Sequence, residues 1–264
     1  MARSPVRRAL LIDAMGTLIE LRPPAPILRR ELRDRLGIDV TLEQAQRGLA
    51  AEIAYYRAHM LEGRDPATVS ELHTRCAGAL GAALGLAAAV DLAALTETLL
   101  ACLRFVAHAD AAPALRAARR RGECVVVVSN WDATLPAALA SAGLAPLIDT
   151  VLTSAQAGVA KPDAAIFERA LAVAGVAPGA ALHVGDSLVE DVQGARRARI
   201  AAVWCNRRGQ PVPDGVRAIA SLAELAELAE LAELAELAEP GSRPVGRAPR
   251  RNLLRHGEPD DGAT

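Results

Sequence analysis

The chain of 264 residues sets 30 lysines and arginines against 31 aspartates and glutamates, a formal net charge of −1, and only 2% of it is aromatic. That balance excludes an electrostatic nucleic-acid footprint and a stacking surface for bases, which leaves small molecules as the expected partners. An apolar share of 52% supplies a packed core, whereas the longest apolar run, near Ala77 to Val90, is shorter than the roughly 20 residues that span a bilayer.

The first predicted strand runs from Ala9 to Asp13, and Gly16 and Thr17 give a tight turn after it. Pro23, Pro24 and Pro26 then favour an extended linker. Helix-period sequence follows from Pro26 to Leu61 and from Val69 to Leu103 with no strand candidate between the first strand and Ala107, so residues 21–107 are expected to form a helical cap. Within it Tyr55 and His59 share a helix face, and Tyr55 and Tyr56 are read as packing between cap helices.

After a return near His108, strands at Cys124–Ser129, Thr150–Thr153, Ala181–Gly185 and Ala201–Cys205 alternate with helices near Ala111–Arg121, Thr134–Ala142, Ala164–Ala174 and Glu190–Ala198. This alternation predicts an α/β fold, a Rossmann-like doubly wound parallel sheet, with residues 1–20 and 108–239 as the core. Leu-Ala-Glu repeats six times from Leu222 to Glu239, a helix-favouring tract whose leucines precess by roughly 60° per repeat, so only part of it can pack on the core. Residues 240–264 are rich in proline, glycine and arginine and are expected to be disordered. Cys76, Cys102, Cys124 and Cys205 are scattered singly with no secretory segment before them, which predicts reduced core thiols in a cytoplasmic protein. The expected state is a monomer or homodimer, a choice that no feature of the sequence decides.

In an open parallel sheet, ligands bind outside the carboxyl ends of the strands, and here the residues at those ends are polar. Asp13 is a possible nucleophile for phosphoryl transfer. Ser129 and Asn130 offer hydroxyl and amide donors for phosphate oxygens, and Gly16 and Thr17 complete the phosphate-facing turn. Lys161 is the only lysine in a chain whose other basic positions are arginine, and Pro162 after it suits the first turn of a helix. Asp186 and Asp191 follow the next strand; carboxylates converging on one rim call for a cation, and hard oxygen ligands favour Mg²⁺. His183, inside an apolar strand, is read as a core histidine, Asp132 as a cap for the helix near Thr134, and Arg119–Arg121 as complementing a helix dipole.

The motifs LLIDAMGTL, VVVVSNWD, AKPDAAIFERAL and HVGDSLVEDVQGA resemble the four motifs of the haloacid dehalogenase-like hydrolases, with the cap inserted between the first two. The resemblance implies that Asp13 attacks the substrate, that Ser129 and Lys161 hold phosphoryl oxygens, and that Asp13 and Asp186 bind Mg²⁺ with Asp191 behind them. Where family phosphatases usually carry a second aspartate, this chain has Met15, whose main-chain carbonyl can still ligate the metal but whose side chain moves no proton. The expected activity is Mg²⁺-dependent hydrolysis of a small phosphate ester. Met15 also admits a 2-haloacid dehalogenase, or a weakened member acting as a binding or regulatory protein. A cap without lysine excludes a phosphonate-cleaving member.

Overall fold

The computed structural model describes residues 8–86 and 90–225; the later Leu-Ala-Glu repeats and residues 240–264 lie outside the described residues. Strand β1 (Ala9–Ile12) is buried at every position and leads through a tight turn to β2 (Ile19–Leu21). Four helices follow: α1 (Pro24–Leu36), α2 (Leu42–His59), α3 (Pro66–Leu84) and α4 (Leu92–Cys102). The prolines begin α1, with Pro23 at its N-cap and proline in its first turn, because a fixed φ and a missing N–H cost nothing there. The extended linker expected from them is absent. Capping boxes at Thr41 with Gln44 and at Asp65 with Thr68 open α2 and α3, satisfying N–H groups that the first turn leaves without partners. Leu28, Leu32, Leu49, Leu72, Leu80 and Leu99 close into one apolar cluster shared by the four helices. Each fully buried leucine contributes about 1.5–3 kcal/mol of transfer free energy.

Strand β3 (Phe105–Ala107) brings the chain back and pairs antiparallel with β2, Ile19 opposite Ala107 and Leu21 opposite Phe105. This two-stranded ribbon corrects the expectation of no strand before Ala107; three-residue strands carry too little periodicity to be read from sequence. Beyond it come α5 (Ala111–Arg120), β4 (Cys124–Ser129), α6 (Leu135–Ser141), β5 (Thr150–Thr153), α7 (Ser154–Ala157), α8 (Ala164–Ala174), β6 (Ala181–Gly185), a π-helical turn (Leu188–Gln193), α9 (Gly194–Arg197), β7 (Ala201–Cys205) and β8 (Arg217–Ile219).

The main sheet has six parallel strands in the order β5-β4-β1-β6-β7-β8. Side chains alternate across it: Leu11, Val126 and Val128 pack with Phe167 of α8 and Ala195 of α9, while Leu10, Ile12, Val125 and Val127 are buried on the opposite face, where α5 lies on β4. The core is therefore doubly wound. Leu222 and Leu225, the first leucines of the repeat, are buried, and Leu222–Glu224 forms a 3₁₀ turn capped by Ser221. The four cysteines are buried and free. Among the described residues no helix is long and apolar enough to cross a membrane.

Candidate active site

Register gathers the site. Ile12 of β1 lies opposite Val127 of β4 on one side and Val184 of β6 on the other, so the residues after each strand emerge together at the carboxyl edge. Asp13 follows β1 directly, and its N–H donates to Val184 O at 2.9 Å. Ser129 ends β4, and its hydroxyl favours the ionised form of the Asp13 carboxylate. Lys161 arrives from the loop before α8, where Asp163 caps the helix; Pro162 lies outside the first turn in which the sequence places it. Its ammonium, almost fully buried, donates to Asp13 Oδ1 and to Asp191 Oδ1, each at 2.6 Å.

Asp191 is buried in the π-helical turn and has further support. His183 Nε2 donates to its Oδ1 at 2.9 Å, and Ser187 N–H donates to its Oδ2 at 2.9 Å. His183 is thus more than a core histidine: it orients a carboxylate of the site. Gly185 has to be glycine, because a Cβ there would collide with the Asp191 carboxylate. Asp186 opens to solvent at the crevice mouth, with Trp204 Nε1 donating to its main-chain oxygen at 2.8 Å. Gly16, at φ +78°, passes so close to Asp186 that a side chain would meet its Oδ2.

The electrostatics favour a cation. Burial raises the pKa of Asp13, opposed by the adjacent Lys161 and reinforced by Asp191. Burial opposes ionisation of Lys161 too, but Asp13 and Asp191 outweigh it and hold the ammonium charged. Asp191 is likewise held ionised against burial, by Lys161 and His183. Asp186, although open to solvent, sits in a recess; desolvation first, then the charges of Asp13 and Asp191, push its carboxyl up to about 7. Asp13, Asp186 and Asp191 bring carboxylate oxygens within 4.8 Å of one another, a hard-oxygen set that fits Mg²⁺. The turn after Asp13 closes its main-chain bonds through Ala14 O and Ile19 O, which leaves the Met15 carbonyl outside that ladder.

Two residues expected on the substrate side have other partners. Thr17 is fully buried and its carbonyl accepts from Arg207 Nη2 at 2.7 Å. The Asn130 side chain is engaged with the main chain of Lys161 at both its oxygen and its nitrogen. Asp132 does accept from Thr134 N–H at 2.8 Å, as a capping residue should, but it also meets the helical insertion: His73 Nε2 lies 3.3 Å from its Oδ2, and its N–H donates to Tyr56 Oη at 3.2 Å. Tyr56 therefore packs in the cap and reaches the core, while Tyr55 stacks on His59 with ring centroids 4.1 Å apart. Arg119 pairs with Asp149 and Arg121 with Glu123, so these arginines serve neighbouring acids as well as a helix end.

The fold is α/β, and it brings these polar and charged residues together at the ends of central parallel strands. A family model described as haloacid dehalogenase-like hydrolase matches residues 7–199, and the chain belongs to that family. A phosphoserine phosphatase of Thermus thermophilus is 40% identical over 109 residues, which is 41% of this chain and 44% of that relative, so the match spans under half of the relative's length. The solved HAD phosphatase from Thermococcus onnurineus superposes with a TM-score of 0.60 at 26% identity, covering 84% of this chain and 97% of that one. The L-2-haloacid dehalogenase of Xanthobacter autotrophicus shares the fold, with a TM-score of 0.62 at 21% identity over 85% of this chain and 99% of its own.

Proposed function

We propose that this hydrolase cleaves a small phosphate ester by forming an aspartyl-phosphate on Asp13, with Mg²⁺ as cofactor. The observation that carries the reading is the charge imbalance of the rim: three carboxylates converge and a single ammonium lies between two of them. Such a cluster is suited to a divalent cation and a phosphoryl group, and two relatives of the chain are named as phosphatases.

Lys161 holds Asp13 Oδ1, which leaves the second carboxylate oxygen to attack phosphorus as the P–O bond to the leaving group breaks. Ser129 and Lys161 then face the phosphoryl oxygens and stabilise the charge that develops there. Water attacks the acyl-phosphate in the second step, releasing inorganic phosphate and restoring Asp13. Asp13, Asp186 and the Met15 carbonyl, with Asp191 behind them, would hold Mg²⁺, which when bound would supply positive charge that screens the phosphate from the carboxylates. Met15 donates no proton to the leaving oxygen, so esters with good leaving groups are the better substrates. The helical insertion over the rim excludes water and sets substrate size.

Phosphate release from an aryl phosphate and a panel of metabolite phosphates, with and without Mg²⁺, tests the reading. Turnover should require Mg²⁺ and vanish in Asp13→Asn. Silence on every phosphate, with Mg²⁺ bound, would overturn it.

Met15 favours one second reading, displacement of halide from a 2-haloacid by Asp13, because a halide leaves without protonation. Halide release that is indifferent to Mg²⁺ is its signature.

A further inference from the structure

The turn after the nucleophile is gripped on two sides. On the inside, the Leu18 and Ile19 N–H groups donate to Ala14 O at 2.8 and 2.9 Å. On the outside, Arg207, in the loop after β7, donates Nη2 to Thr17 O at 2.7 Å and pairs through both terminal nitrogens with the two oxygens of Asp110, each at 2.8 Å. Asp110 is itself fixed from the far end of the described chain, by Ser221 Oγ at 2.7 Å and Leu222 N–H at 2.9 Å.

The location gives the network its meaning. Thr17 precedes β2 and Asp110 follows β3, so Arg207 ties together the two passages by which the chain leaves and re-enters the core. His108 N–H closes the same base by donating to Leu18 O at 3.0 Å. A planar guanidinium can meet a carboxylate with two donors and still hold a carbonyl, a task for which an ammonium has the wrong shape. Arg207 Nε and Thr17 Oγ1 are buried without hydrogen-bond partners among the described residues.

We propose that Arg207 is a positioning residue that sets the register of the catalytic turn against Asp186 and anchors the base of the β2–β3 ribbon. Gly16 lies between Asp13 and Thr17 and almost touches Asp186, so an outward shift of Thr17 draws the turn away from that carboxylate and separates it from Asp13. The kinetic consequence rests on the phosphatase reading; the mechanical one does not.

The test uses the full chain with Arg207→Gln and Arg207→Lys, reading amide hydrogen exchange together with kcat and KM on an aryl phosphate with Mg²⁺. In Arg207→Gln, exchange at Leu18 and Ile19 should rise at least tenfold while the Cys124–Ser129 amides stay unchanged. kcat should fall tenfold or more with KM within about twofold, and Arg207→Lys should restore neither. Unchanged exchange in the turn, an equal rise in both segments, or full activity in Arg207→Lys would overturn the proposal. If Arg207→Gln does not fold, Ser221→Ala, which removes one support of Asp110, decides by the same exchange comparison. A wild-type chain without turnover would sink the phosphatase reading and leave the exchange result to decide the role of Arg207.

Discussion

Asn130 and Lys161 hold each other twice: the Asn130 side-chain oxygen accepts the Lys161 N–H at 2.8 Å, and its nitrogen donates to the Lys161 carbonyl at 3.0 Å. The end of β4 thereby fixes the loop that delivers the ammonium to Asp13 and Asp191. Asn130→Ala leaves two main-chain groups unpaired and should cost about 2 to 4 kcal/mol of stability. Denaturant unfolding measures that loss, and turnover should fall further than stability explains, because Lys161 is released from its place.

Gly16→Ala is expected to be selectively harmful. A side chain at φ +78° costs roughly 1–2 kcal/mol, and the methyl group must also displace the Asp186 carboxylate. Calorimetric titration with Mg²⁺ should show affinity at least tenfold weaker while the thermal transition stays cooperative. Affinity equal to wild type would mean that Asp186 takes no part in holding the metal.

Acid stability follows from Asp110. Burial opposes its ionisation, but Arg207, the Ser221 hydroxyl and the Leu222 N–H outweigh it and hold the folded pKa below the ordinary aspartate value. A depressed carboxylate stabilises the fold fully above its unfolded pKa of about 3.9 and loses that contribution as pH falls through that value toward the folded one. Asp110→Asn should therefore lower stability at pH 7 by about 1–3 kcal/mol and flatten the loss below about pH 5. Urea unfolding of both chains from pH 7 to pH 3 gives the two slopes.

Restoring an acid at position 15 should change the substrate profile. Met15→Asp should raise kcat/KM for alkyl phosphates by about 10²-fold or more and leave aryl phosphates closer to their starting rate. Equal effects on both classes would show that protonation of the leaving group is not what limits the enzyme.

Added Mg²⁺ should raise the unfolding temperature, since a ligand at about 100 times its Kd stabilises the native state by about 2.7 kcal/mol. Asp186→Asn should abolish most of the shift, and a Ca²⁺ control compares a larger cation at the same rim.

Five of the six core strands were legible because each is a short, largely apolar run with polar residues at or after its end; Asp13, Ser129 and Asp186 stand there, and Lys161 lies in the loop beyond α7 that follows β5. The sixth, β8, was not legible, because three residues that open on an arginine carry no apolar run. Alternation with helices supplied the topology. The β2–β3 ribbon was not legible: its strands have three residues each and lie 84 positions apart or more, so their pairing leaves no local pattern. The same holds for contacts that only the fold creates. Arg207 and Asp110 are 97 positions apart, and His73 and Asp132 are 59 apart. The residues of these pairs carry ordinary surface signatures in sequence, and Asn130 and Thr17 looked like ligand donors because a strand-end amide and a hydroxyl say nothing about which neighbours will use them. The prolines before α1 were ambiguous for another reason, since the same fixed φ serves an extended linker and a first helical turn.

A chain with one lysine, and that one enclosed between two carboxylates, is also a chain with almost no side-chain amine chemistry. Acylating and reductive-alkylation reagents need a free, deprotonated amine. Lys161 is held charged and out of solvent, so the native protein should resist both at this position and accept them only once unfolded. The extent of Lys161 modification is then a count of molecules in which the crevice has come apart, a built-in reporter that requires no introduced label.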